Sequence, residues 1–180
     1  MKMLKSFEHV GMTVGDMDRA IDFYCGLLGL SLVLRKTMAN GMQVAFLDAG
    51  GGMLEVFAPP GGASRAVDVP EDTAGVRHLT FHFDNVDEAF TRLEQAGVEI
   101  KERPRFAVHS EMLNKIAFVR DPDGIIVELA ERSQSRQGLT QVLPIASLRA
   151  VRPSRSRSIR RRTSFAAMQG SPQLASLALM

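Results

Sequence analysis

The sequence predicts an α+β fold made of two tandem βαβββ modules, each with four strands and one helix. The order strand, helix and three strands occurs twice, over residues 7–57 and 76–130. Chemically similar residues also recur at a nearly constant spacing, since His9 lies 69 positions before His78 and Glu55 lies 73 positions before Glu128. The small changes in spacing fall in predicted turns, where insertions cost little free energy. These observations predict a duplicated module.

In the first module, alternating apolar residues predict a strand at 7–14. Asp16 is a good helix N-cap, and the apolar spacing after it predicts a helix at 17–28. Three further strands are predicted between turn signals such as Asn40-Gly41 and the glycines at 50–52. These strands span 31–37, 43–48 and 53–57.

The second module repeats this order. A strand is predicted at 76–84, and Asn85 caps a helix at 86–96. Strands follow at 98–102, 115–120 and 125–130. Between the last two lies Asp121-Pro122-Asp123-Gly124, where Pro122 suits a type I turn and Gly124 closes it.

The charge distribution predicts one folded domain and a basic tail. The domain spans residues 1–132, with module one at 5–58, a linker at 59–75 and module two at 76–131. Residues 133–180 contain eight arginines and no acidic residue, a composition that predicts disorder. The alternative interpretation is a basic arm that binds nucleic acid, and only this tail could do so. The scarcity of aromatic residues argues against that alternative, because Phe165 is the only residue there that could stack on bases.

Composition gives expectations about the compartment. The chain has one cysteine, Cys25, which excludes an internal disulfide and fits a reducing compartment. No apolar run is long enough for a signal peptide or a membrane span. We therefore expect a cytoplasmic protein with no membrane association.

The repeated histidine and glutamate indicate a site. Glu128 lies in a strand that is apolar on both faces, and a buried carboxylate requires a partner, a metal or a proton. Modules placed side by side would bring together His9, Glu55, His78 and Glu128, a set that suits a borderline divalent metal. Taken singly, each has a structural alternative, namely a hydrogen-bonded core histidine or a surface glutamate.

Several motifs make the sequence resemble the vicinal oxygen chelate superfamily, which includes glyoxalase I and methylmalonyl-CoA epimerase. The motifs are His9-Val10-Gly11-Met12-Thr13-Val14, Ala20-Ile21-Asp22-Phe23-Tyr24 with Leu28-Gly29-Leu30, Glu55, His78-Leu79-Thr80-Phe81, and Asp121-Pro122-Asp123-Gly124 with Val127-Glu128-Leu129. The resemblance implies that the two modules form a cup-shaped mixed sheet. It also implies one divalent metal ion held by His9, Glu55, His78 and Glu128, and a homodimer. Nothing in the sequence distinguishes Ni, Co, Zn, Mn or Fe.

The function that this resemblance implies is a metal-dependent isomerase, lyase or epimerase of a small-molecule substrate. Glu128 or Glu55 would transfer a proton beside a substrate carbonyl. The positions where glyoxalase I binds glutathione are Thr13 and Pro59 here, and neither side chain can clamp a carboxylate. Alternatives are a drug-binding protein on the same fold and a ring-cleaving dioxygenase. Glu55 as a fourth ligand argues against the dioxygenase, because oxygen chemistry needs an open coordination position.

Three further residues are candidates for substrate contact: Thr13, His82 and His109. His82 faces the same side of its strand as His78 and occupies the repeat position of Thr13. His109 lies in a polar loop between two strands, and such loops often carry specificity. For both histidines a simple surface role is the alternative.

Overall fold

A computed structural model describes residues 3–133, and the βαβββ order is confirmed in both modules. Module one comprises β1 (His9–Thr13), α1 (Met17–Ile21), a π-helical segment (Asp22–Leu27), β2 (Ser31–Thr37), β3 (Gln43–Asp48) and β4 (Met53–Ala58). Module two comprises β5 (Leu79–His82), α2 (Val86–Gln95), β6 (Ile100–Phe106), β7 (Leu113–Arg120) and β8 (Ile126–Arg132). The predictions for the basic tail beyond Ser133 lie outside the described residues.

Both helices begin at the predicted caps. The Asp16 carboxylate accepts a hydrogen bond from the Arg19 amide at 2.9 Å, and the Asn85 side chain accepts one from the Glu88 amide at 3.1 Å. Each cap satisfies an amide that the first helical turn leaves without a partner. Among residues 3–133, no helix is long and apolar enough to cross a membrane.

Some element bounds differ from the prediction. The first helix becomes π-helical after Ile21, where the Leu28 amide donates to the Phe23 carbonyl at 3.0 Å, five residues back. β1 and β5 are shorter than predicted. β6 extends to Phe106, and its pairing with β7 shifts register on both sides of Glu102. Such irregularities leave no clear period-two pattern in the sequence.

The strands form two four-stranded mixed sheets with the same topology. The first sheet has the order β1-β4-β3-β2, and the second has the order β5-β8-β7-β6. In each sheet the module's first strand runs parallel to its last, and the other pairs are antiparallel. The first strand therefore lies beside the last strand, which places the repeated histidine next to the repeated glutamate.

Each sheet has a core face and an open face. The helices and the core faces of both sheets contribute to one cluster of buried residues, which includes Phe23, Tyr24, Leu47, Val56, Phe90, Leu93, Val119 and Leu129. The open face is the opposite side of each sheet. Cross-strand partners lie on the same face, so the open faces are read directly from the register.

The turn before β8 joins the two modules. The Gly124 amide donates to the Asp121 carbonyl at 3.0 Å, which confirms the predicted turn, and Gly124 has a φ of 87°. The buried Asp121 carboxylate accepts a hydrogen bond from the Tyr24 hydroxyl at 2.9 Å. Asp123 accepts one from the Gly15 amide at 3.0 Å. These bonds connect module two to the helix and strand end of module one.

Candidate metal centre

His78 and Glu128 form a pair on the open face of the second sheet. Glu128 is almost fully buried, and its Oε2 atom lies 3.1 Å from His78 Nε2. The Thr80 hydroxyl donates a hydrogen bond to the same oxygen at 2.7 Å. The His78 ring packs edge-on against Phe118, with ring centroids 5.7 Å apart. The predicted buried carboxylate therefore has two polar partners and an aromatic neighbour.

His9 and Glu55 form the equivalent pair on the first sheet. His9 Nε2 lies 3.2 Å from Glu55 Oε2, and the His9 ring meets Phe46 edge-on at 5.9 Å. His9 Nδ1 also contacts the carboxylate of Glu8. This hydrogen bond is the main reason that the pKa of His9 is raised above its usual value, with smaller contributions from the charges of Glu8 and Glu55.

The two pairs differ at one position beside the carboxylate. Thr80 is the cross-strand neighbour of Glu128, whereas Gly11 is the cross-strand neighbour of Glu55. A Cβ atom on Gly11 would lie 3.9 Å from Glu55 Oε2 and 3.6 Å from the Phe57 ring. Gly11 therefore leaves room beside Glu55 at the place where Thr80 holds Glu128.

Both histidines are partly exposed, which excludes the alternative of core histidines. The side chain of His9 is 38 % exposed and that of His78 is 36 % exposed. Glu55 does not match the alternative of a surface glutamate, because only 22 % of its side chain is exposed.

The four residues do not come together within one chain. Among residues 3–133, no three His, Cys, Asp or Glu side chains are grouped so that they could hold a metal ion. The modules associate through their core faces, where Tyr24 of module one packs 6.3 Å from Phe81 of module two. This differs from the expectation that the modules of one chain would unite both pairs.

The donor atoms nevertheless fit a divalent metal. Each pair offers one imidazole nitrogen and carboxylate oxygens, a combination that suits borderline ions. One pair alone falls short of the three or four protein ligands that hold zinc-like ions in proteins. The two pairs together would supply four.

The other predicted residues have different environments. Thr13 lies on the open face opposite Phe57 in β4. His82 lies on the open face opposite Ala130, and its side chain has no hydrogen-bond or ion-pair partner in the described part of the chain. His109 lies in the β6–β7 loop, where its side chain is 80 % exposed and is 3.9 Å from Glu111. In the part of the chain that the structure describes, no hydrogen bond or ion pair joins the side chain of His109 to either pair.

Two cavities border His78. One of about 240 Å³ is also lined by Phe118, Ile126, Lys101 and the linker residue Asp68. The other, of about 500 Å³, extends along β5 towards the edge of β1 and includes His82. A third cavity, of about 520 Å³, lies near the Asp121 turn and contains none of the predicted site residues. Space for a small molecule is therefore present beside the second pair.

Sequence reasoning missed the phenylalanines and Thr80 as parts of the site. The signal was available, because Ala45-Phe46 precedes Ala117-Phe118 by 72 positions, close to the spacing of the ligand pairs. In both sheets the phenylalanine is the cross-strand neighbour of the glutamate on its other side.

Comparison with known proteins agrees with this architecture. Residues 6–129 match the Glyoxalase/Bleomycin resistance protein/Dioxygenase superfamily. The chain is 31 % identical over 134 residues to a lactoylglutathione lyase of Shigella flexneri, covering 73 % of this chain and 96 % of that protein. It is 28 % identical over 137 residues to the metallothiol transferase FosB of Shouchella clausii, covering 72 % and 86 %.

A solved structure shows the same fold. The glyoxalase family protein from Enterococcus faecalis superimposes with a TM-score of 0.59 at 26 % identity, covering 72 % of this chain and 100 % of that one. The relatives give no support to nucleic-acid binding by the basic tail. The family match, the duplicated module and the paired histidines and glutamates agree, and the chain belongs to the glyoxalase/bleomycin resistance protein/dioxygenase superfamily, the vicinal oxygen chelate family.

Proposed function

We propose that this protein is a divalent-metal-dependent enzyme that isomerises or epimerises a small substrate by proton transfer beside a carbonyl. The observation that carries the proposal is the matched His–Glu pair on each open face, at 3.2 Å in the first sheet and 3.1 Å in the second. A duplicated pair of this kind has no evident structural purpose, because both histidines are partly exposed and lie outside the core cluster.

The complete site would require a second copy of the chain. Each chain offers two pairs that do not meet among residues 3–133. In a symmetric dimer, the first pair of one copy can face the second pair of the other, which gives two equivalent four-ligand sites. The homodimer and the four ligands, expected from the resemblance, are thus parts of one proposal.

The residues then have separate roles. His9, Glu55, His78 and Glu128 would hold the metal ion, which would polarise a substrate oxygen and stabilise the negative charge that develops on it. Glu128 would accept the carbon-bound proton and return it. Its side chain is 9 % exposed, so a transferred proton is kept away from bulk water. Thr80 orients the carboxylate, and Phe118 fixes the imidazole plane.

The first test of this proposal is the metal content of the full chain. We expect one divalent ion per chain in wild type and a sharp loss of metal in His78→Ala. His109→Ala is the matched control, because it also removes an imidazole but from an exposed loop. Equal metal content in His78→Ala and wild type would refute the assignment.

The second test is exchange of a substrate C–H proton with solvent deuterium. The panel contains 2-oxo aldehydes with and without thiols, and acyl-CoA esters. We expect the metal-loaded wild type to exchange at least one of them. No exchange by fully loaded protein would contradict the enzymatic proposal.

The runner-up function is binding and sequestration of an apolar small molecule. It is favoured by the exposed apolar residues of β2, Leu32, Val33 and Leu34. Tight binding of an apolar compound by metal-loaded protein that exchanges no substrate would support this function instead. A ring-cleaving dioxygenase is less favoured, because Glu55 as a fourth ligand would fill a coordination position that oxygen chemistry needs open. The compartment in which the protein works stays a prediction.

A further inference from the structure

Both open faces carry a cation in the same place relative to the glutamate. In each sheet the strand register aligns one residue from each of the four strands, and we call such a set of four residues a row. The row of Glu55 contains Gly11, Glu55, Phe46 and Leu34, and the next row contains Thr13, Phe57, Val44 and Lys36. The row of Glu128 contains Thr80, Glu128, Phe118 and Glu102, and the next row contains His82, Ala130, Ile116 and Arg105.

Lys36 and Arg105 therefore occupy equivalent positions in the two modules. Each lies on the edge strand, two strands from the glutamate and one row further along, which corresponds to about 10 Å across the sheet. The residues between the cation and the module's first strand are apolar, and Val44, Ile116 and Ala130 are buried. A long cationic side chain beside an apolar floor is suited to hold the polar end of a bound molecule.

The two cations differ in their present partners. Lys36 has no hydrogen bond or ion pair through its side chain within residues 3–133. Arg105 contacts Glu102 through Nε, and its side chain is 43 % exposed. The charge of Glu128 also contributes to raising the pKa of Arg105, after the larger effect of Glu102. By the strand register, Arg105 lies on the same open face as Glu128, two strands away and one row further along.

The neighbouring arginines on the same strands show the contrast. Arg35 precedes Lys36 and is neutralised by Asp18 of the first helix at 2.6 Å. Arg103 lies two residues before Arg105, contacts Glu94 of α2 and stacks over Phe90 at 5.6 Å. Both serve the packing of a helix on the core face. Within residues 3–133, the side chain of Lys36 makes no such contact with a helix.

We infer that Lys36 and Arg105 bind an anionic group of the substrate, a carboxylate or a phosphate, in the site formed by the two pairs. This inference rests on the proposed function and specifies the substrate class. It also accounts for the absence of a clamp at Thr13 and Pro59, because the anion is held from the opposite edge of each sheet. An arginine and a lysine together provide charged hydrogen bonds to such a group.

A different explanation exists for Lys36 alone. Lysines on edge strands discourage edge-to-edge association, and β2 is an edge strand. That role requires only a charge, so Lys36→Glu would preserve it. Anion binding requires a positive charge, so Lys36→Arg would preserve it and Lys36→Glu would abolish it. The two explanations therefore predict opposite results for this variant.

The direct experiment is an NMR titration of the full-length protein with inorganic phosphate. We expect shift changes at Lys36 and Arg105, and about tenfold weaker binding in Lys36→Gln and in Arg105→Gln, since a charged hydrogen bond contributes that much. Arg35→Gln and Arg103→Gln are matched controls that remove the same charge from the core faces. Equal weakening in the controls would overturn the inference, as would unchanged binding in Lys36→Glu.

The second experiment compares charged and neutral substrates in the deuterium exchange assay. The pairs are acyl-CoA with acyl-pantetheine, and the glutathione hemithioacetal with that of mercaptoethanol. We expect the anionic member of a pair to have the lower KM, and Lys36→Gln to raise that KM about tenfold with little change in kcat. Equal KM values within each pair would contradict the inference. No exchange by any compound would count against the proposed function, while the phosphate titration would still test Lys36 and Arg105.

Discussion

The two His–Glu pairs are equivalent in the repeat but are supported differently. Glu128 has a side chain that is 9 % exposed, and it is held by both His78 and Thr80. The side chain of Glu55 is 22 % exposed, and among residues 3–133 His9 is its only polar partner. The difference arises from one pair of repeat positions, at which Thr80 corresponds to Gly11.

The two copies of the module therefore surround equivalent carboxylates differently. The histidine, the glutamate and the ring of the phenylalanine keep the same arrangement in both sheets, with His–Phe centroid distances of 5.9 and 5.7 Å. The added hydroxyl of Thr80 fixes one carboxylate, whereas the missing side chain of Gly11 leaves space at the other. We therefore expect a proton-transfer role for Glu128 and a metal-anchoring role for Glu55.

The largest expected effect separates the two glutamates. Glu128→Gln keeps the size of the side chain but cannot accept a proton, so turnover should fall roughly 10²–10⁴-fold. Glu55→Gln should mainly weaken metal binding. Rates measured at saturating metal would distinguish the two roles. Equal losses of turnover in both variants under that condition would show that the pairs are functionally equivalent.

A smaller effect is expected from exchanging the residues beside the carboxylates. Thr80→Val removes the hydroxyl while keeping the branched shape, and loss of such a partner typically costs 10–100-fold in metal affinity or activity. Gly11→Thr should give Glu55 the missing partner, because the space at Gly11 admits a Cβ at ordinary contact distances. Metal affinities measured by calorimetry test both changes. Unchanged metal affinity in Thr80→Val would show that the Thr80 hydroxyl does not distinguish the second pair from the first.

The Tyr24–Asp121 hydrogen bond is a joint between the modules. Disrupting this joint should lower the free energy of unfolding without changing metal binding by the His–Glu pairs. Tyr24→Phe removes the hydroxyl that donates to the buried Asp121 carboxylate at 2.9 Å. The cost should be about 1–3 kcal/mol of unfolding free energy, because a buried acceptor loses a partner. Chemical denaturation measures this loss. Metal affinity should stay at the wild-type value, and a parallel loss of metal would show that the joint positions the ligands.

The smallest expected effect is a pH dependence at the same joint. Burial is the main reason that the pKa of Asp121 is raised above 3.8 in the folded protein. The native state therefore binds this proton more tightly than the unfolded state, and its contribution to stability is lost as the pH rises through the raised pKa. The stability difference between wild type and Asp121→Asn should decrease over that window. A stability difference between wild type and Asp121→Asn that grows with pH would contradict a raised pKa of Asp121.

The features that could be predicted from the sequence are those set by the internal repeat and by turn and helix-cap residues. The repeat spacing singled out His9, Glu55, His78 and Glu128, and the parallel pairing of first and last strands in the structure arranges them as two pairs. The bounds of β2 and β3 matched the prediction, since turn residues flank them. The family resemblance was confirmed by the match over 6–129.

Other features could not be read from the sequence. The π-helical segment depends on hydrogen bonds that reach five residues back, such as that from the Leu28 amide to the Phe23 carbonyl, and these change no obvious periodicity of the sequence. The association of the modules depends on long-range packing such as Tyr24 against Phe81. A repeat specifies the geometry inside each module and not which faces meet, so the separation of the pairs within one chain was not predictable. The ligand assignments and the domain bounds remain predictions.

A second copy of the chain should complete each metal site, and mixing two variants that each lack one pair tests this most directly. One variant carries His9→Ala with Glu55→Gln, and the other carries His78→Ala with Glu128→Gln. A mixed dimer would contain one site with all four ligands intact, so random exchange of subunits should restore about a quarter of the wild-type metal content. Mass spectrometry would establish that mixed dimers have formed. Mixed dimers that bind no metal would contradict the shared site.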